Sequence, residues 1–206
     1  MTEALKTEAE TELIRRAQQG DGAAFEALLR RHYDTMYRMA YRWCGNRADA
    51  QDITQSACIK LARALGSYGF RSAFATWLYP LVINTAKDWS RSRARHAGDG
   101  LDAEPAEAAS AAGPLAEQRV YARQVLDHVR ALPEREREAV LLVFGEGLSH
   151  REAAAAMACR ESTVSWYIHE ARKKLQPLRE PRRKAQREAR REAQREDGSE
   201  KERHHG

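Results

Sequence analysis

Apolar residues recur through most of this chain at helical spacing, and the period-2 alternation of a half-buried strand is almost absent. The first stripe is Phe25, Leu28, Leu29, His32, Tyr33, Met36, Tyr37, Ala40 and Trp43, and it stops at Cys44-Gly45-Asn46. A second runs Ala50, Ile53, Ala57, Leu61, Leu65 and ends at Gly66. The stretch Gly66–Arg71 reads as a loop. Ser72 can then cap a third helix carrying Phe74, Trp77, Leu78, Leu81 and Val82. Pro80 lies inside that helix, where it should bend it or shift its start. The expected fold class is all-α.

Composition shifts divide the chain. Residues 1–19 form an acidic, amphipathic N-terminal segment, and residues 20–96 a first helical unit. Residues 97–114 are rich in Ala and Gly, with four carboxylates and no basic residue before Pro114, and read as a flexible acidic linker. Residues 115–178 form a second helical unit. Residues 179–206 alternate Arg, Glu, Gln and Ala and cannot bury a face, so a disordered charged tail is expected.

Several classes are excluded by what the chain lacks. No apolar run approaches the roughly 18 residues that a bilayer span requires, so membrane insertion is not expected. Three cysteines, Cys44, Cys58 and Cys159, stand far apart without a CxxC pair. That spacing argues for a reducing, cytoplasmic setting and against a disulfide framework or a metal site. No cofactor and no catalytic residue is expected. A net charge of +5 is mild support for a polyanionic partner.

The strongest local signal is LSHREAAAAMACRESTVSWYIHEARKKL, residues 148–175. Ser149 and Glu152 make a capping box, a short alanine-rich helix follows, and Ala158-Cys159-Arg160 turns into a longer helix. This is the helix-turn-helix pattern. Small residues at Ala153, Ala154 and Ala158 should let the helices cross closely. Val164, Ile168 and Leu175 should face the core. Ser162, Thr163, Ser165, Trp166, His169, Arg172 and Lys173 are then the candidates for a DNA groove.

The first unit narrows the choice. DAQDITQSACIKLARAL (Asp49–Leu65), followed by Ser67–Arg93 with Phe70, Arg71, Ser72, Phe74, Thr76, Trp77, Leu78, Asn84, Ala86 and Lys87, resembles region 2 of the sigma-70 family. LPEREREAVLLVFGEGLSHREAAAAM through ARKKL resembles region 4. Two such matches joined by a short linker are the layout of the extracytoplasmic-function group. The resemblance implies a region 2 bundle and a region 4 helix-turn-helix. It implies two partners: RNA polymerase core, through its β′ coiled coil and β flap, and promoter DNA. An anti-sigma factor is expected as a third.

On that resemblance Asp49, Asp52 and Gln55 are the core-binding candidates; spacings of three put them on one helix face. Tyr68, Phe70, Arg71, Ser72, Asn84, Lys87, Arg91 and Arg93 are the candidates for −10 DNA, combining aromatic platforms with cations for the backbone. Two departures stand out. Ala158 and Ala153 replace the usual glycine and large aliphatic residue. Ser165, Tyr167 and Glu170 stand near positions that are usually basic. The other readings are a sigma-like protein that only occupies an anti-sigma factor, a type expected to carry an attached receiver domain, and a plain helix-turn-helix regulator, which would not need the Asp49–Lys87 pattern.

Overall fold

The computed structural model describes residues 3–96 and 114–176, and within them there are eight α-helices and no strand. The expected linker, up to residue 113, and the tail from residue 177 lie outside the described residues.

The first unit is built from α1 (Glu3–Gln18), α2 (Gly22–Cys44), α3 (Arg47–Ala64) and α4 (Phe74–His96). Its helix starts follow capping chemistry. Asp21 accepts from the Ala24 amide at 3.0 Å, and Asn46 accepts from the Asp49 amide at 3.1 Å. Helix α2 stops at Gly45, whose φ of +80° closes it with a bond from its amide to the Tyr41 carbonyl. Helices α2, α3 and α4 then bury Leu28, Met36, Trp43, Ile53, Leu61, Leu78 and Ile83 against one another.

The N-terminal segment, set apart in the sequence, folds as α1 and packs on α2. Ile14 is buried there. The Gln18 amide nitrogen donates to the carbonyls of Leu65 and Tyr68, at 2.9 and 2.8 Å.

Two expectations about α4 are corrected. Ser72 does not cap it: the helix begins at Phe74, the Ala73 carbonyl takes the Trp77 amide, and Ser72 is exposed. Pro80 does not restart it, because the helix runs through Pro80 to His96.

The second unit holds α5 (Pro114–Arg130), α6 (Glu134–Val140), a wide π-type turn over Leu141–Gly145, α7 (His150–Ala156) and α8 (Glu161–Leu175). The Ser149–Glu152 capping box is formed in both directions. Helices α6 and α7 pack on α8 around Leu142, Ala153, Met157, Val164, Ile168 and Ala171. Ala153 and Ala154 are buried at the helix crossing as expected. Ala158 is not: it is exposed and takes φ of +50° in the turn, the conformation a glycine adopts without strain.

The two units touch directly. Helix α4 meets α7, while α2 meets α5 and the π-type turn.

Candidate nucleic-acid interface

The loop between α3 and α4 sets Tyr68, Phe70, Phe74 and Trp77 into one aromatic cluster, with centroids 4.8 to 5.7 Å apart. Their availability differs. Tyr68 is buried and donates its hydroxyl to the Ser72 carbonyl at 2.6 Å, so it is a floor and not a contact surface. Phe70 is 40% exposed, has φ of +57°, and lies under the Arg15 guanidinium at 5.5 Å. A non-glycine residue held in the left-handed region costs free energy, and such strain concentrates at working sites. Arg71 and Ser72 flank it, exposed. An aromatic face beside cations suits an unstacked base.

Helix α4 divides the remaining −10 candidates. Asn84 is exposed. Lys87 is not: it is 4% exposed, with Nζ 2.5 Å from Glu138 Oε2 of α6. Lys87, a −10 candidate in the sequence, is therefore covered and not open to a strand in this structure. The buried positions of α4 are Phe74, Leu78, Tyr79, Val82, Ile83, Thr85, Ala86 and Lys87; most pack within the first unit, while Lys87 is met by α6 of the second. The burial of Lys87 was readable, since it lies four residues after Ile83. Arg91 reaches Asp88 and, at 3.5 Å, Glu134 of α6. Arg93 pairs with Asp49 at 2.8 Å and stacks over Trp89. Two residues expected to meet different partners are thus joined to each other. On α3, Asp52 and Gln55 remain exposed, with Ile59 exposed on the same side.

In the helix-turn-helix, α8 presents Ser162, Ser165, Trp166, His169, Arg172 and Lys173 outward, all exposed, with Thr163 half-buried. Val164, Ile168 and Ala171 are buried, and Leu175 is half-buried. Trp166 is 55% exposed and packs beside Tyr167. Ser165 accepts or donates to His150 Nδ1 at 2.9 Å, which ties the recognition face to the start of α7. Glu170 pairs with Lys173 at 2.9 Å, and that hydrogen bond holds its carboxyl below the usual range. Arg172 lies over the ring of Phe144, itself exposed.

The cysteines carry no reactive signature. Burial raises all three thiols, Cys159 in the turn included.

Sequence reasoning missed the contact between the units. Arg42 reaches the Gly145 carbonyl at 2.9 Å and the Glu146 carboxylate. Tyr79 also hydrogen-bonds Glu146, whose carboxyl is raised chiefly by burial. Arg130 donates to the Arg42 and Tyr41 carbonyls, at 3.2 and 3.4 Å, and Arg137 lies 3.7 Å over the Trp43 ring. No periodicity predicts these pairs, because they join residues about a hundred positions apart in the extreme case.

Residues 28–96 match the family model described as Sigma-70 region 2, and residues 122–175 match Sigma-70, region 4. The RNA polymerase sigma-H factor of Pseudomonas aeruginosa is 37% identical over 188 residues, covering 84% of this chain and 97% of that protein. The ECF RNA polymerase sigma-E factor of Escherichia coli K12 is 35% identical over 180 residues, covering 81% and 94%. Among solved structures, CnrH in complex with the cytosolic domain of CnrY shares the fold with a TM-score of 0.63 at 23% identity, over 84% of this chain and 98% of that one. The Bartonella quintana sigma factor RpoE, bound to the anti-sigma factor NepR, does so with a TM-score of 0.61 at 22%, over 76% and 96%. A helix-turn-helix with an outward recognition face, an aromatic loop beside cations, and both regional matches in order make one case: the chain belongs to the sigma-70 family of RNA polymerase sigma factors, in its extracytoplasmic-function group.

Proposed function

We propose that this chain serves as a promoter-specificity subunit through two separate faces, one on each helical unit. The observation that carries this reading is the strained, exposed Phe70 over a buried aromatic floor, together with a helix-turn-helix that exposes Ser162, Ser165, Trp166, His169, Arg172 and Lys173. Region 2, residues 20–96, takes the −10 strand: Phe70 stacks an unpaired base, while Arg71, Ser72 and Asn84 bond to base edges and phosphates. Lys87, Arg91 and Arg93 add backbone contacts once their carboxylate partners leave. Asp52 and Gln55 on α3, with Asp49 beside them, meet the β′ coiled coil of polymerase core. Region 4, residues 115–178, lays α8 into the major groove of the −35 element and meets the β flap. Trp166 there supplies an apolar contact of the kind that reads a thymine methyl.

An anti-sigma partner is part of the proposal, since the Bartonella relative was solved with one. The chain performs no chemistry of its own in this reading and works in the cytoplasm beside polymerase. Among the described residues no helix is long and apolar enough to cross a membrane.

Transcription with purified core polymerase on a library of promoter fragments tests the reading. Promoter-dependent transcripts are expected only when the chain is added, and their absence on every fragment would overturn it. Asn84→Ala and Phe70→Ala should slow open-complex formation about 5- to 150-fold while core affinity stays the same, the loss of one base contact being about 1–3 kcal/mol.

A further inference from the structure

We propose that the free chain is closed by an electrostatic latch between its two helical units, in which carboxylates of region 4 occupy cations that would otherwise take nucleic-acid phosphate. The proposal rests on the DNA assignment of Lys87 and Arg91 above for its second half only. The closure itself stands on geometry.

The latch has three nodes. At the first, Lys87 of α4 is buried with Nζ 2.5 Å from Glu138 Oε2 and 3.8 Å from Glu134 Oε1. Glu138 is as buried as its partner and receives Arg135 at 3.2 Å as well. At the second, Arg42 of α2 holds Glu146 and the Gly145 carbonyl, and Tyr79 of α4 adds a hydrogen bond to the same carboxylate. At the third, Arg130 caps the C-terminal carbonyls of α2 and Arg137 covers Trp43. Arg91 to Glu134 lies at the rim, in solvent.

The sign pattern is one-sided at the first two nodes. The region 2 unit supplies Arg42, Lys87 and Arg91; the region 4 unit supplies Glu134, Glu138 and Glu146. A row of carboxylates against a row of cations is what a nucleic-acid backbone offers to the same cations. Of the basic −10 candidates on α4, Lys87 and Arg91 are held by region 4, and Arg93 is held by Asp49. Closed, the chain therefore shields its own strand-binding cations. A strand and the second unit cannot both hold Lys87, so binding of one must weaken the other by the same factor.

This contact is also easy to release by a single change. A buried ion pair contributes little net stability when intact, but removing one partner leaves an uncompensated buried charge. Loss of Glu138 should therefore drive the units apart and let Lys87 reach water, with each unit's own apolar core left in place.

Small-angle scattering of the full chain, with circular dichroism as the folding control, tests the closure. Glu138→Lys should raise the radius of gyration with helix content unchanged. The double exchange Lys87→Glu with Glu138→Lys should bring it part of the way back, because Glu134 and Arg135 stay beside the exchanged pair. Arg42→Ala, which acts at the second node without touching Lys87, should also expand the chain. Scattering of Glu138→Lys and Arg42→Ala indistinguishable from wild type would overturn the latch. So would a double exchange as expanded as the single variant. Competition is read separately, with a short single-stranded DNA of mixed sequence as probe. Glu138→Gln should bind it about tenfold more tightly, within the range of typical site coupling. An expanded Glu138→Gln with unchanged strand affinity would overturn the competition. If Lys87→Ala also leaves strand affinity unchanged, it is the DNA assignment of Lys87 that fails, and the scattering result still decides the latch.

Discussion

At Ala158 the chain places a Cβ where the helix-turn-helix needs a left-handed residue, with φ of +50°. The structure shows this alanine as local strain. Replacing it should help: Ala158→Gly is expected to stabilise the protein by about 1 kcal/mol, read as a rise in denaturant midpoint with an unchanged slope. A fall would mean that the turn tolerates alanine and that chain entropy decides. Gly45 is the opposite case. It combines φ of +80° with a close neighbour, since a Cβ there would lie 2.6 Å from the Arg130 guanidinium carbon. Gly45→Ala should therefore cost more than the roughly 1 kcal/mol of left-handed strain alone, and it should displace Arg130 from the end of α2. Thermal melting of Gly45→Ala, with and without Arg130→Ala, would show whether the guanidinium contact accounts for the excess.

At the scale of elements, α1 shows how packing gives a titrating group its role. His32 of α2 is buried, 2.9 Å from Glu10 of α1, edge-on to Phe74 at 4.9 Å, and beside Arg31, which also reaches Glu10. Burial depresses the imidazole pKa below its ordinary value, more than the Glu10 carboxylate raises it. Between the folded and unfolded values the unfolded chain then binds more protons, so stability rises with pH across that window. Acidifying from neutrality through the ordinary histidine range should weaken the α1–α2 packing, with the loss complete below the folded pKa. His32→Gln should flatten that part of the stability–pH curve, measured by urea unfolding at fixed ionic strength. An unchanged slope would assign the effect elsewhere. Some helix boundaries were legible beforehand because caps are local: Gly45 and the Ser149–Glu152 box each act within four residues of themselves. Ser72 misled for the same reason. Its residue type suits a cap, but its carbonyl was recruited by Tyr68, a contact set by how the loop folds over the aromatic cluster.

Across the whole molecule, the exposed candidates on α3, on the α3–α4 loop and on α8 belong to different elements, and their variants should separate too. Asp52 is exposed on α3 and faces away from the buried row Ile53, Ala57 and Leu61. Asp52→Arg should leave the melting temperature within a degree or two, a surface change being within about 0.5 kcal/mol. It should also weaken binding to polymerase core about tenfold or more, as measured by competition with a labelled sigma factor. Lost stability together with lost binding would instead place Asp52 in the packing of the bundle. Asp49 is expected to behave differently, because its pairing with Arg93 makes its removal free a cation as well as delete a carboxylate.

The sequence by itself determined the helical class, the two regional units, the Gly45 stop and the Ser149–Glu152 box, the outward row on α8 and the ridge on α3. All of these depend on interactions within a few turns of one helix, where spacing translates directly into a face. What only the tertiary structure decided is the state of the cations. Whether Lys87 meets water or Glu138, whether Arg93 is open or held by Asp49, and whether Tyr68 is a platform or a floor are set by surfaces brought together across the fold. A charge is exposed or buried according to what packs over it, and helical period carries no record of that partner.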